Sequence, residues 1–359
     1  TALLDAAAAR GLPVLDDANG PSNEGAVFAD YNAIEGDDGS FERWSTARAY
    51  LEPALARPNL DVLVDSPVHR IDLTGSRATG VTHLIDGREV TTTADRIVLA
   101  AGAMDTPRLL QLSGIGDPDR LAAVGIRPRH ALPGVGENFQ DHPLVLGVNF
   151  RAREGLGPVI GNGGGTMLNW RSSYAERGPD LHTVIAHGSR GDEALHARYD
   201  LGGDQMFALV PGLYGSRSVG WVRVRSADPT VPPEFQPNYL ADPKDLVAMV
   251  EAMDVAQELV AGPAYADLHP EPLTPPPSMT DRAERVQFVR ENVGSFFHGV
   301  GTARIGTDEL AVVDPGLRVR GLEGLWVADA SVMPIIPTAN TQAPTVAIAE
   351  RAAELIAAD

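Results

Sequence analysis

Apolar residues recur at helical spacing over the first ten positions, TALLDAAAAR, and that pattern stops at Gly11 with Pro13 just beyond. The segment carries acidic and basic residues and does not read as a secretory signal. Residues 15–40 show no period and are rich in Gly, Asp, Asn and Pro, which predicts irregular surface chain. Helical spacing returns in FERWSTARAYLEPALARP, with Ser40 placed to cap its first turn and Pro58 to stop it. From Leu60 to Gly102 the period changes to two, with Val, Ile, Thr and Leu interrupted by the turn signals Thr74-Gly75-Ser76 and Asp86-Gly87. This predicts an antiparallel meander that ends in a buried strand, RIVLAAG. A helix should follow in DTPRLLQLSG, with Pro107 in its first turn and Gly114 at its end.

Between about 144 and 295 the strand candidates are LVLGVNFRA, GTMLNW, LHTVIAHG, QMFALVPGLY and GWVRVRS, followed by a long helix in DPKDLVAMVEAMDVAQELVAG. PLTPPPS reads as a local proline-rich loop, too short to link domains. The chain ends with a strand around Trp326-Val327-Ala328, a loop with three prolines, and a helix from about Thr345. Strand, glycine, helix is the grammar of an α/β fold, here mixed with antiparallel (α+β) segments. No internal repeat is present.

Composition narrows the function without choosing it. A chain of 359 residues suits about two domains. At 43% hydrophobic and 21% charged it is an ordinary globular composition. A net charge of −19 repels nucleic acid and anionic lipid, so neither is expected as a partner, although an acidic surface also serves solubility alone. The absence of cysteine excludes disulfides, zinc–thiolate sites and thiol nucleophiles and leaves the redox compartment open. No uninterrupted apolar run reaches about 18 residues, so no membrane span is expected. A cytoplasmic location is the expectation.

Candidate chemistry lies mostly near the C-terminus. Asp329-Ala330-Ser331 follows a strand, where ligands collect in α/β sheets. Asn340-Thr341-Gln342-Ala343-Pro344-Thr345 leads into a helix, whose first amides and partial positive charge favour an anion; a capped surface helix would look the same. There are nine histidines, and any one alone reads as structural or exposed as readily as catalytic. His298 follows Phe296 and Phe297 and precedes a glycine-rich turn; desolvation by the two rings would keep its imidazole neutral and able to accept a proton. His142, in a turn rich in Asn, Gln and Asp, reads as a structural residue that satisfies backbone groups. The clusters Gly161–Gly165 and Gly299–Gly301 read as turns, and no G-x-G-x-x-G stands between a strand and a helix. HExxH, GxSxG and Walker patterns are absent, and no metal site is expected.

Four segments together resemble the glucose–methanol–choline (GMC) flavin oxidoreductases. Gly102-Ala103-Met104-Asp105-Thr106-Pro107-Arg108-Leu109-Leu110-Gln111-Leu112-Ser113-Gly114-Ile115-Gly116 looks like that family's long second signature. Gly136-Glu137-Asn138-Phe139-Gln140-Asp141-His142-Pro143 is similar to its G-x-N-L-Q-D-H run, and His298-Gly299-Val300-Gly301-Thr302 to its active-site turn. Val327-Ala328-Asp329-Ala330-Ser331 followed by Asn340-Thr341 resembles its ending, and Arg43-Trp44-Ser45-Thr46, Pro58-Asn59-Leu60 and Asn238-Tyr239-Leu240 fall in family-like order.

The resemblance implies an FAD-binding, Rossmann-like parallel sheet with a β-meander, and a substrate domain built on an antiparallel sheet flanked by helices. The division it implies is 1–57 as a linking, substrate-side segment, 58–143 as part of the FAD domain, 144–295 as the substrate-binding domain and 296–359 as the return of the FAD domain. It implies oxidation of an alcohol to the aldehyde or ketone, with His298 as base, Asn340 on the same substrate oxygen, and hydride transfer to the flavin. The two polar groups would orient that oxygen and stabilise a developing alkoxide. Val68, Ala101, Phe297, Asp329, Ala330, Asn340, Thr341, Gln342 and Thr345 correspond to positions around FAD, and Phe297 could shape oxygen access. Family members carry a glycine-rich βαβ unit ahead of the region matched here, so a separate N-terminal FAD-binding polypeptide is expected as a partner. The alternatives are a hydroxynitrile-lyase-type carbon–carbon lyase on the same scaffold and a non-catalytic subunit.

Overall fold

The apolar run Met206–Leu213 is buried at every position, as expected of a strand covered on both faces. It lies centrally in an antiparallel sheet ordered Gly25–Phe28, Thr166–Trp170, Leu181–His187, Met206–Leu213, with Pro143–Val145 and Val148–Arg151 both along its far edge. Glu271–Thr274 continues the sheet beyond Val148–Arg151. The helix Pro243–Ala261 packs on Met206–Leu213, and its buried residues Ala248, Met249, Ala252, Met253, Ala256, Leu259 and Val260 form a stripe at helical spacing. These elements belong to a first compact unit, Thr1–Leu63, Pro143–Gly215 and Pro243–Gly294, in a computed structural model that describes residues 2–153, 155–157 and 164–359.

The second unit comprises Val64–His142, Ser216–Asp242 and Ser295–Asp359. Its meander runs Val68–Thr74, Arg77–Ile85, Arg88–Thr93. Asp86 and Gly87 both take positive φ, 50° and 74°, which a two-residue hairpin turn of this kind requires. Ile97–Leu99 then pairs in parallel with Leu325–Val327, in the register Leu325↔Ile97 and Val327↔Leu99. Ile71, Leu73, Ala78, Ile97, Leu99, Leu110, Leu325, Trp326 and Val327 share one buried core. The mixed α/β class expected from the sequence is thus present. Among the described residues, parallel pairing of strands is confined to this pair and the short pair Ile115–Gly116 with His130–Ala131, which form two separate two-stranded sheets.

Several local expectations change. Residues 15–40 are not wholly irregular, because Gly25–Phe28 and Ala33–Glu35 are strands. The helix expected over residues 41–57 is replaced by a strand, Phe41–Arg43, paired with Ala33–Glu35, and two short helical turns, Ala47–Leu51 and Glu52–Ala54. Ser40 is no cap: its carbonyl accepts from Gly36 N and closes that hairpin. Neither helical turn has a buried residue, and helical spacing without a surface to bury does not sustain a helix. The strand texture at residues 60–67 leaves no strand; Val62, Leu63 and Val64 are exposed and unladdered.

The C-terminal helix begins at Gln342, three residues before the expected start. Residues 216–242, which the sequence division put with 144–295, lie in the second unit. Gly161–Gly163 of the first glycine cluster fall outside the described residues. Among those described, no helix is long and apolar enough to cross a membrane.

Pro107 shows how distant parts of the second unit support each other. The sequence places it in a first turn, but the helix starts at Gly102, so Pro107 lies inside it. A proline there has no N–H for the carbonyl four residues back, that of Ala103. The Thr302 hydroxyl donates to that carbonyl instead, at 2.7 Å. Thr302 is fully buried, so the helix interior is completed by a side chain from the turn that follows His298.

Candidate active site

The second unit gathers three segments around His298. The first is Glu137–His142. Gln140 and Val300 exchange backbone hydrogen bonds, with Gln140 N donating at 3.0 Å and Val300 N at 2.9 Å. Asn138 Nδ2 donates to the carbonyls of Gly301 and Pro334, Gln140 Nε2 donates to Pro334 O, and Ile336 N donates to Gln140 Oε1. One polar run thereby ties the 298–301 turn to the 334–337 loop. Gly301 has φ +92°, and a Cβ there would sit 2.4 Å from the Asn138 carbonyl, so the close approach needs glycine.

Asp141 is the centre of the second set of contacts and is 5% exposed. Its carboxylate accepts from the backbone N of His142 and of His298, both at 2.8 Å, and from the hydroxyls of Ser295 and Tyr239, both at 2.5 Å. Burial, and then the Asp141 charge, push the Tyr239 hydroxyl well above its ordinary pKa, so it stays a donor. Ser295 Oγ also accepts from Phe297 N, and Phe296 N donates to His142 O. These bonds hold Phe297 at φ +61°, a conformation costly for a residue with a Cβ, and set the direction from which His298 leaves the turn.

Phe296 lies against the His298 ring with centroids 4.6 Å apart. Phe297 does not: it is 91% exposed. Only one of the two aromatics expected to desolvate the histidine therefore does so. The imidazole pKa is nonetheless lowered to about 4, because burial outweighs the opposing charge of Asp141, and the ring is neutral near pH 7. His298 Nε2 stands 3.4 Å from Asn340 Nδ2, and His298 Nδ1 stands 2.9 Å from His142 Nδ1. His142, read from the sequence as structural, satisfies a backbone carbonyl as expected, that of Pro337 at 3.0 Å, but it also touches the candidate base. Asp141, Tyr239 and Ser295 were not singled out from the sequence. Asp141 and Tyr239 stand in the family-like runs Gln140-Asp141-His142 and Asn238-Tyr239-Leu240, but nothing local links them to each other or to Ser295, since Tyr239 and Ser295 lie 98 and 154 positions from Asp141.

The remaining candidates fall at strand and helix ends of the same unit. Val68 opens the meander and is exposed. Ala101 caps the helix Gly102–Leu112, is exposed, and donates its N–H to Thr106 Oγ1. At Gly102, φ is +80° and a Cβ would meet nothing within 4 Å, so this helix start faces open space. Asp329 follows Leu325–Val327, but its carboxylate is turned into the protein. Oδ2 accepts from Gly102 N and Thr106 Oγ1, and Oδ1 from Ser331 N. Ala330 O accepts from Gly301 N and Met333 N. Thr341 is buried and caps Gln342–Ala357, its carbonyl accepting from both the amide and the hydroxyl of Thr345. Asn340 and Gln342 are exposed beside it. The structure thus joins His298, Asn340 and His142 through side-chain contacts, and places Val68, Ala101 and Gln342 as exposed residues at element ends. A planar group with an anionic edge fits such a surface, with a neutral base at one side and first-turn amides at the other.

The chain belongs to the GMC oxidoreductase family: residues 1–144 match the family's N-terminal model and residues 216–349 its C-terminal model. Mouse mitochondrial choline dehydrogenase is 34% identical over 99% of this chain and 62% of its own length. The alcohol dehydrogenase [acceptor] of Pseudomonas putida is 33% identical over 95% of this chain and 65% of its own length. Pyridoxine 4-oxidase from Mesorbium loti superposes with a TM-score of 0.92 at 28% identity, covering all of this chain and 69% of that one. The chain therefore spans 62% and 65% of the lengths of these two curated relatives. The solved structures carry the remainder in the same chain, so a separate N-terminal polypeptide has no support among them.

Proposed function

We propose that the protein oxidises an alcohol to the corresponding aldehyde or ketone with FAD as the electron acceptor. His298 and Asn340 act on the substrate hydroxyl in this reading. The observation that carries it is the neutral imidazole of His298, whose Nε2 faces the Asn340 amide at 3.4 Å. A hydroxyl between them can give its proton to Nε2 and accept a hydrogen bond from Nδ2, which lowers the energy of the alkoxide as it forms. FAD, when bound, supplies the two-electron acceptor for the alcohol carbon. Ala101, Ala330, Thr341, Gln342 and Thr345 would hold it through backbone and hydroxyl groups, with Val68 at the adenine end and Phe297 beside the ring. Asp329 contributes by fixing the start of the helix Gly102–Leu112. The family membership and the names of the matched dehydrogenases support an alcohol as substrate, and the FAD of a matched formate oxidase of Aspergillus oryzae, 25% identical, supports FAD as cofactor.

The test is anaerobic mixing of the flavin-loaded protein with a panel of primary and secondary alcohols while flavin absorbance is followed. Bleaching is expected with at least one alcohol, and His298→Ala should slow it about 100-fold or more, the usual worth of a general base. Unchanged bleaching by His298→Ala would overturn the assignment of the base. Cyanide release from a cyanohydrin without bleaching would select the lyase chemistry instead.

A further inference from the structure

His142 has no solvent exposure, and both its ring nitrogens meet protein atoms. The partner of Nε2 is the Pro337 carbonyl, 3.0 Å away. A carbonyl has no proton to offer, so this contact is a hydrogen bond only if Nε2 carries one. In a neutral imidazole the other nitrogen is then a bare acceptor. That nitrogen, Nδ1, is 2.9 Å from Nδ1 of His298, with the rings nearly perpendicular at 88°. Two bare nitrogens would repel at this distance, so the proton between them belongs to His298. A neutral His298 with its proton on Nδ1 has its lone pair on Nε2, the nitrogen that faces Asn340.

We infer that His142 is a positioning residue for the reaction, passing the polarity of the Pro337 carbonyl through one ring so that His298 presents Nε2, not Nδ1, as its proton acceptor. The inference rests on the reading of His298 as the base. Its logic is that of a base oriented by a third group, but here the orienting group is a neutral ring. The difference has a chemical consequence. A carboxylate at that place would raise the basicity of His298 by its charge, whereas a neutral acceptor fixes the tautomer and ring plane alone. When Nε2 takes the substrate proton, the Nδ1 proton stays where it is, still bonded to His142. No second proton moves, and the charge that forms on His298 is favoured by the Asp141 carboxylate, which accepts from the His298 backbone N–H. Pro337 lies in the same loop region that Asn138 and Gln140 anchor, so the carbonyl at the head of this relay is held in place by the run that supplies His142.

The experiment is nitrogen-15 NMR on histidine-labelled protein, with and without FAD, near pH 8. Expected is a protonated Nδ1 and bare Nε2 on His298, and the reverse on His142. His142→Leu should leave His298 as a mixture of tautomers and lower kcat about 10–100-fold, the loss typical when the group that orients a metal-bound histidine is removed. KM should change by no more than about 3-fold, because substrate binding is not what is removed. His142→Asn, whose carbonyl can accept the His298 proton, should return kcat to within about 5-fold of the parent. A proton on Nε2 of His298 in the unaltered protein overturns the inference, as does an unchanged His298 tautomer in His142→Leu. If the tautomers are as expected but His298→Ala oxidises alcohols normally, the tautomer assignment stands and the reading of His298 as the base is what fails.

Discussion

Thr302→Val removes the hydroxyl that donates to Ala103 O and changes little else, since valine has nearly the shape of threonine. The carbonyl it abandons is buried and has no replacement within the helix, because the residue that should supply the N–H is Pro107. A hydrogen bond that is merely lost costs about 1 kcal/mol, but a buried acceptor left unsatisfied costs about 1–3 kcal/mol. We therefore expect about 2 kcal/mol of destabilisation, equivalent to about 3 °C in Tm, since the unfolding entropy of about 2.1 cal/mol/K per residue is summed over the whole chain. The assay is thermal unfolding followed by circular dichroism at matched flavin occupancy, because bound ligand shifts Tm by itself. The decisive comparison is a double-mutant cycle with Pro107→Ala. Alanine restores an N–H that can reach Ala103 O, so Thr302→Val should cost less than about 1 kcal/mol in that background. An equal cost in both backgrounds would refute the pairing of the two residues through one carbonyl.

Three further outcomes follow from the same geometry. Asp141→Asn turns an amide N–H toward a set made entirely of donors, so it should lower Tm by several degrees and kcat by about 10–100-fold, while Asp141→Glu should fail as well because four bonds fix the carboxylate's position; differential scanning calorimetry and steady-state rates check this. Asn340→Ala should lower kcat about 100-fold with a smaller change in KM, the pattern expected if the amide acts on the developing alkoxide, and a change confined to KM would contradict that role. The third outcome is the pH profile. His298 is a base only when neutral, and its pKa is lowered from 6.5 to about 4, so the acid limb of kcat/KM should fall near pH 4 and not near 6.5. The linked stability has a definite sign: the unfolded chain takes up a proton at this residue as pH drops below 6.5 and the folded chain does not until about 4, so its contribution to stability is full above 6.5 and is lost between those values. An acid limb at 6.5 in the free protein would mean that His298 is solvated.

What could be read from the residues, and what could not, divides along the range of the interactions. The helix Pro243–Ala261 and the strand Met206–Leu213 are visible as periods because their burial repeats within a few positions. Asp86-Gly87 is visible because two consecutive positive φ angles demand such residues. The stretch 41–57 has helical spacing too, yet it buries nothing, and a period without a partner surface is no evidence of a helix. The candidate site shows the same division. His298 and Asn340 were found through motifs, which mark residues without saying what each touches. The partner of His298 at Nδ1 lies 156 positions away, and the partner of the Ala103 carbonyl 199 positions away. Such contacts have no local period. Their trace in the sequence is a residue that is unfavourable where it stands: a proline inside a helix, a phenylalanine at positive φ, an aspartate buried among donors. Each of the three is linked to the turn that begins at His298. Thr302 answers the proline from the turn His298 begins, Phe297 precedes His298, and Asp141 binds its backbone. The local costs therefore converge on the one side chain whose direction the proposed chemistry requires to be fixed, and that convergence is a stronger reason to place the base at His298 than the histidine's own surroundings in the sequence.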